Sequence, residues 1–200
     1  MPEVATRPAR PEDAEVAARL LFESSAELYE RYAGGREPAL ALLRAMFAAE
    51  GNGASREVVT LAELGGQPIA AMAAYPVDES AERARRGLRL SLRRIRPWVW
   101  PATLRIYRLG ARHVPPPPPG CFYVDALATA AASRRRGAAT ALLADAERRA
   151  RELHLDSLAL ETELDNSGAQ ALYERFGFEA RARCGPAGPL PGFVSYVKRV

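Results

Sequence analysis

The sequence predicts an α/β (α+β) fold: a mixed, mostly antiparallel central sheet of about six or seven strands, flanked by helices. Three observations predict it. The chain has 200 residues, 48% hydrophobic and 26% charged, which is enough for one domain with a sizeable core and too apolar for a disordered chain. The first half carries a hairpin pattern around Gly65-Gly66. The second half, from Cys121 onward, alternates strand-like and helix-like stretches, and such a run beside hairpins implies a mixed sheet with helices laid over it.

Residues 4–7 have strand composition. Pro11-Glu12-Asp13 opens a helix, since proline suits the first turn and acids suit the positive end of the helix dipole. Val16, Leu20, Leu21 and Leu28 recur there at helical spacing, and Gly34-Gly35 ends the region. Pro38 starts a second helix with Leu40, Leu43 and Phe47 on one side, closed by Gly51-Asn52-Gly53. Residues 58–64 and 69–75 flank Gly65-Gly66-Gln67-Pro68 as a β-hairpin. Residues 80–114 read as two short helices split by Pro97 and Pro101, with Leu88, Leu92 and Ile95 on one side of the first. The prolines at 115–119 form an extended polyproline spacer. A strand at 121–129, a helix at 137–153, a strand at 157–164, a helix at 167–176 and strands at 179–184 and 193–200 complete the chain.

Composition narrows the function. No apolar run approaches the roughly 20 residues of a spanning helix. The first residues lack the apolar stretch of a secretory signal, so a cytoplasmic protein with no membrane partner is expected. Cys121 and Cys184 share no metal-ligand spacing and are too few for a disulfide scaffold. With only His113 and His154, far apart, a histidine-based triad is poorly supplied and no metal is expected. The net charge of +4 invites a nucleic-acid partner, but its distribution is uneven. Residues 80–114 hold ten arginines against Glu82, a net of +9, which leaves −5 for the rest. A mildly acidic domain carries one basic segment, and nucleic acid is not the favoured partner.

The strongest local signal is Ser133-Arg134-Arg135-Arg136-Gly137-Ala138-Ala139-Thr140, between a strand and a long helix. Such a turn presents unpaired backbone N–H groups at a helix N-terminus, where the dipole favours an anion by about 0.3–1 kcal/mol. Gly137 and Ala139 leave room for a phosphate to approach the backbone, and three arginines add positive charge. The spacing is neither that of the P-loop nor that of Gly-x-Gly-x-x-Gly. A basic loop capping an ordinary helix is the plain alternative.

Two stretches together carry a resemblance. Arg134-x-x-Gly137-x-Ala139 follows a strand. After the next strand come Asn166, then Leu172-Tyr173 and Gly177-Phe178. In this the sequence resembles the GNAT superfamily of acetyl-CoA-dependent N-acetyltransferases, closely over 121–180 and only in topology before that, where Thr6-Arg7-Pro8-Ala9 and Glu12-Asp13 look like the family's opening. The resemblance implies the acyl-CoA N-acyltransferase fold, with two central parallel strands splayed apart to admit the pantetheine arm of acetyl-CoA, here a co-substrate. Backbone groups at Leu127, Ala128 and Thr129 would pair with that arm. Arg134, Arg135, Arg136, Gly137, Ala138, Ala139 and Thr140 would hold the pyrophosphate. Asn166, Ala169 and Tyr173 would line the arm's other side. Ala139 stands where glycine is commoner, and Thr129-Ala130-Ala131-Ala132 replaces the usual Val-Asp-Pro-type bend. Residues 80–119 look like an Arg-rich helical insertion with a polyproline spacer inside a single acetyltransferase domain, 1–200.

The implied reaction is direct attack of a neutral amine on the thioester in a ternary complex, followed by protonation of the departing thiolate. Tyr173 stands where the family places that general acid, with a packing tyrosine as the alternative. For the base, strand alternation puts Leu158, Leu160 and Leu164 on one face and Ser157, Ala159, Glu161 and Glu163 on the other. Glu161 resembles the base of ribosomal-protein alanine acetyltransferases. Asp125, which alternation points the same way as Tyr123 and Leu127, competes with it, as does water. An α-amine of pKa ~8 needs only about 1.4 kcal/mol to be neutral at pH 7, and a lysine-type amine near 10.4 about 4.6.

The acceptor, a small-molecule or peptide amine, is unidentified. Trp98 and Trp100 are expected to line its pocket, to make a homodimer contact or to lid the cofactor. The Gly- and Pro-rich residues 185–192 are a candidate acceptor-side loop. Two competing readings are an acyl-CoA-binding sensor and a nucleic-acid-binding module on the same scaffold.

Overall fold

The apolar stretch after Gly65-Gly66 becomes the strand around which the sheet is built. The computed structural model describes residues 3–200, so Met1 and Pro2 of the expected 1–200 domain lie outside the described residues. Strand β1 (Val4–Pro8) leads through helices α1 (Ala14–Phe22), α2 (Ala26–Ala33) and α3 (Arg36–Ala48) to β2 (Val59–Leu64) and β3 (Gln67–Pro76). Both Gly65 and Gly66 have positive φ, 59° and 78°, so the hairpin closes in two residues. Gln67 and Pro68 therefore join the strand instead of the turn. Helices α4 (Ser80–Arg94) and α5 (Trp100–His113) follow, then β4 (Cys121–Thr129), α6 (Ala138–Glu152), β5 (Ser157–Glu163), α7 (Ser167–Phe176), β6 (Glu179–Cys184) and β7 (Phe193–Arg199). The strands form one seven-stranded sheet in the order β1-β2-β3-β4-β5-β7-β6, in which only β4 and β5 are parallel.

Along β3, Ala71, Ala73 and Tyr75 enter the core under α1–α3, while Ala70, Met72 and Ala74 enter the core under α6. Seven buried residues in succession, Ile69 through Tyr75, four of them alanine, let helices approach both faces closely. On the second face α6 supplies Leu142, Leu143, Ala146 and Ala150 at helical spacing.

The single helix expected between Pro11 and Gly34 is two helices. Ser24 Oγ donates to the Leu21 carbonyl at 2.7 Å, and Ser25 takes a non-helical conformation (φ −160°) with its hydroxyl turned onto Glu163. Side-chain competition for the backbone breaks the helix there. Pro101 lies in the first turn of α5 and does not interrupt it.

Helices α4 and α5 dock on α2. The Tyr32 hydroxyl donates to Ser91 (3.1 Å), and the Thr103 hydroxyl donates to the Tyr32 carbonyl (2.7 Å). Ser91 and Thr103 are fully buried. Trp98 and Trp100 pack on nothing comparable. They are 73% and 39% exposed, and the apolar contacts of the bend are made instead by Ile95 and Val99.

One ion cluster ties the edge strand to the first helical turn. Arg7 donates to both oxygens of Asp13 (2.7 and 2.9 Å) and to Glu63 (2.7 Å), and the Arg10 N–H donates to Asp13 at 2.6 Å. The Arg7 hydrogen bonds hold the Asp13 carboxyl below its usual range. Because its folded pKa is depressed, Asp13 contributes stability above its unfolded value of about 4 and loses that contribution as pH falls through the folded value. Asp13→Asn should lower the unfolding free energy by about 3 kcal/mol at pH 7. The gap to wild type should narrow in urea melts carried out progressively below about pH 4.

Candidate functional site

The parallel ladder between β4 and β5 is short. It pairs Cys121 with Ser157 through Val124 with Leu160 and then stops. At that point β4 carries a bulge: Ala74 faces Val124 and Ala73 faces Ala126, so Asp125 is the extra residue. A bulge bends its strand and increases the local twist. Strand β4 follows β3, and β5 stays on β7 through Glu163. Residues 125–129 and 161–163 therefore diverge, with no ladder between their facing edges.

A cavity of about 830 Å³ fills this gap and runs under α1–α5. Of the expected site residues, Asp125, Leu127, Glu161, Asn166, Ala169 and Tyr173 line it. Ala128 and Thr129 do not; Ala128 is buried in the sheet. Residues 134–140 form a separate surface element. Arg134, Arg135, Arg136 and Gly137 are exposed there. Arg135 and Gly137 have φ of 62° and 86°, and the backbone N–H groups of residues 135–140 meet no acceptor among the described residues. The first helical hydrogen bond closes only at Ala141, onto the Gly137 carbonyl. Consecutive free N–H groups at a helix N-terminus suit an anion.

Alternation along β4 placed Asp125 beside both Tyr123 and Leu127, and the bulge corrects half of that. Tyr123 and Ala126 pack in the core under α1–α3, whereas Leu127 packs in the core under α6. Asp125 stays on the Tyr123 side, beside Gly53, where an added Cβ would come within 2.8 Å of its Oδ2 and 3.4 Å of the Tyr75 hydroxyl. Burial pushes the Asp125 carboxyl up to about 6, with the Tyr75 hydroxyl pulling it partly back.

Glu161 lies across the gap. The Tyr123 hydroxyl donates to its Oε2 at 2.6 Å. Burial pushes its carboxyl up to about 7; the Tyr123 bond opposes the rise and the Asp125 charge adds to it. Glu163, two residues on, accepts from the Ser25 hydroxyl at 2.6 Å.

Tyr173, 5% exposed, stacks edge-on against Phe178 and tilted against Tyr196, at centroid distances of 5.9 and 5.8 Å. Its ring is thus a packing group, while its hydroxyl bonds no other described residue. Burial raises that hydroxyl to about 12, so it is protonated at neutral pH. Asn166 caps α7 by accepting from the Ala169 N–H at 3.1 Å, which leaves its Nδ2 hydrogens for a ligand.

Sequence reasoning missed the phenols Tyr29, Tyr32, Tyr75 and Tyr123, all of which line the cavity. The i, i+3 spacing of Tyr29 and Tyr32 was the available signal. It also missed Arg83, which donates to Glu79 (2.7 Å) and to the Asn52 carbonyl (3.2 Å) and lies over the Tyr75 ring at 5.2 Å. Neither tryptophan lines the cavity. From the loop at 185–192 only Leu190 does, joined by Phe193 at the start of β7.

A family model described as the acetyltransferase (GNAT) family matches residues 21–178. Among solved structures, the chain is similar to an N-acetyltransferase from Staphylococcus aureus Mu50, at 18% identity over 96% of this chain and 99% of that one, with a TM-score of 0.72. It is also similar to a histone acetyltransferase HPA2 and related acetyltransferase from Corynebacterium glutamicum, at 20% identity over 99% and 96%, with a TM-score of 0.63. A NatC complex bound to Gag peptide and CoA aligns at 18% identity over 99% of each chain, with a TM-score of 0.58. At these identities the likeness concerns the fold. No curated protein matches the sequence.

The two carboxyls give the site a pH signature. Carbon-13 NMR should find Glu161 titrating near 7, and Tyr123→Phe should move that midpoint upward because the ionised form loses its hydrogen bond. An acid whose folded pKa is raised costs stability as pH rises through the folded value. Glu161→Gln should therefore melt higher than wild type at pH 8 and lose the advantage near pH 4.

Proposed function

The chain belongs to the acetyltransferase (GNAT) family, and on that premise we propose that it moves the acetyl group of acetyl-CoA onto a primary amine, by direct attack in a ternary complex. The observation that carries the proposal is the gap between β4 and β5, lined by the free phenol of Tyr173 and by one carboxyl from each strand, Asp125 and Glu161. On this reading the pantetheine arm lies along the free edge of β4 at Leu127, Ala128 and Thr129, against Ala169, with the Asn166 Nδ2 donating from across the gap. The pyrophosphate sits on the N–H groups of residues 135–140, with Arg134, Arg135 and Arg136 around it. Charge, dipole and backbone donors all favour a dianion there.

Glu161 accepts the ammonium proton of the acceptor. A lysine-type ammonium of pKa near 10.4 loses its proton to an ordinary glutamate of about 4.3 only at considerable cost, and raising the base to about 7 removes about 4 kcal/mol of it. Asp125, ionised at neutral pH, holds the incoming ammonium close. The amine nitrogen then bonds to the thioester carbon, the C–S bond breaks, Tyr173 gives its proton to the sulfur, and the second proton of the acylated nitrogen restores the Tyr173 phenol. Cys121 and Cys184 are free thiols, which suits the reducing cytoplasm this reading assumes. Among the described residues no helix is long and apolar enough to cross a membrane.

Calorimetric titration with acetyl-CoA is the first test; heat is expected, and its absence at millimolar cofactor would sink the proposal. Tyr173→Phe should then lower kcat by about 10²–10⁴ with acetyl-CoA affinity unchanged. In wild type, kcat/KM should rise with pH through about 7 as Glu161 ionises. Glu161→Gln should lack that limb. An unaltered limb in the variant assigns the base elsewhere.

A further inference from the structure

Beyond the gap the cavity continues as a chamber roofed by α4 and α5. We propose that this chamber takes a lipophilic primary monoamine, its nitrogen at Asp125 and Glu161 and its uncharged body against Leu21, Leu43, Met46, Leu88 and Ile106. The proposal rests on the acetyl-transfer reading and names its acceptor class.

Charge placement is the first reason. The carboxylates lining the cavity, Asp125, Glu161 and Glu163, all come from β4 and β5 at the gap. On α4 the charged group turned inward is Arg83, held by Glu79, Glu57 and the Asn52 carbonyl, while Arg85 lies exposed at the rim beside Glu82. An acceptor with a second cationic end would find an arginine and no further carboxylate in the lining of the chamber. A single cationic end meets carboxylates and the rings of Tyr29, Tyr75 and Tyr123, which also favour an ammonium.

Polar supply is the second reason. The Tyr75 hydroxyl lies beside Asp125, the Tyr123 hydroxyl is bonded to Glu161, the Tyr32 hydroxyl to Ser91, and the Ser25 hydroxyl to Glu163. The buried Ser80 hydroxyl, which has no partner among the described residues, and the hydroxyls of Tyr29 and Tyr107 are the remaining side-chain polar groups of the chamber. They provide for few hydrogen bonds. A hydroxyl-rich or amide-rich acceptor would bury polar groups unpaired, at a cost for each. The walls are aliphatic and aromatic, with Tyr107, Pro115 and Pro117 lining the side beyond Ile106.

The test follows thiol release from acetyl-CoA with linear 1-aminoalkanes of two to eight carbons, beside spermidine, agmatine, alanine and an alanine-started peptide. We expect kcat/KM to rise about fourfold for each added methylene until the chamber is full, in line with the burial of one CH₂. Spermidine and agmatine should fall about tenfold or more below the alkylamine of similar length. Leu88→Glu, which sets an acid in the apolar wall, should lower the rate with hexylamine about tenfold and raise that with spermidine, with acetyl-CoA affinity unchanged. A flat series, or preference for spermidine, alanine or the peptide, with the cofactor bound normally, overturns the lipophilic assignment and leaves acetyl transfer standing. So does cofactor binding without turnover of any alkylamine when another amine is acetylated. Absence of acetyl-CoA binding overturns both readings.

Discussion

The extra residue in β4 is the constraint from which the rest of the site follows. Strand β3 is buried on both faces and pairs with β4 along nearly its whole length, so β4 keeps that ladder when the bulge at Asp125 bends it. Strand β5 keeps its own ladder to β7. Neither strand can follow the other past Val124 and Leu160, and a gap opens where a parallel ladder would otherwise continue. The same extra residue swings Asp125 into the gap and reverses the faces of the residues after it. Backbone edges left unpaired inside a protein need a partner, and the cavity places them where an extended ligand can supply one.

The acids of this protein are treated in two opposite ways. At the sheet edge Asp13 meets a guanidinium in a two-pronged hydrogen bond, and its proton affinity falls. In the gap Asp125 and Glu161 meet phenols and apolar walls instead, and burial raises both. A phenol can satisfy a carboxylate oxygen without neutralising the charge. The first arrangement suits structure and the second suits proton transfer near neutral pH.

The basic segment separates in the same way. Arg85, Arg86 and Arg89 share Glu82 at the surface, while Arg83 turns inward against Glu79, Asn52 and Tyr75. Most of the arginine that dominates the composition is solvated. What the segment adds to the cavity is an apolar roof. The uncharged residues of α4 and α5, inconspicuous among the arginines, shape the chamber more than the arginines do.

Residues 121–180 were legible almost residue by residue, because their signals are local. Gly137 in a left-handed conformation, Asn166 capping α7 and Gly177 ending it mark their own boundaries. The strand alternation that singled out Glu161 holds within β5, which is regular, but fails for Leu164, which it puts on the face of Leu158 and Leu160 and which instead lies exposed just past the strand's end. By itself the sequence therefore determined the order of elements, the loop of free N–H groups and the candidate residues Glu161, Asn166 and Tyr173. Tertiary structure decided what no local pattern records. A bulge depends on the partner strand, so alternation misplaced Leu127 relative to Asp125. The break between α1 and α2 depends on Ser25 finding Glu163, 138 residues away. Trp98 and Trp100 looked like packing groups, but α4 and α5 meet α2 through Ser91 and Thr103 and leave Trp98 largely and Trp100 partly exposed. The raised carboxyls and their ring of phenols come from four separate strands and helices, and only packing brings them to one place.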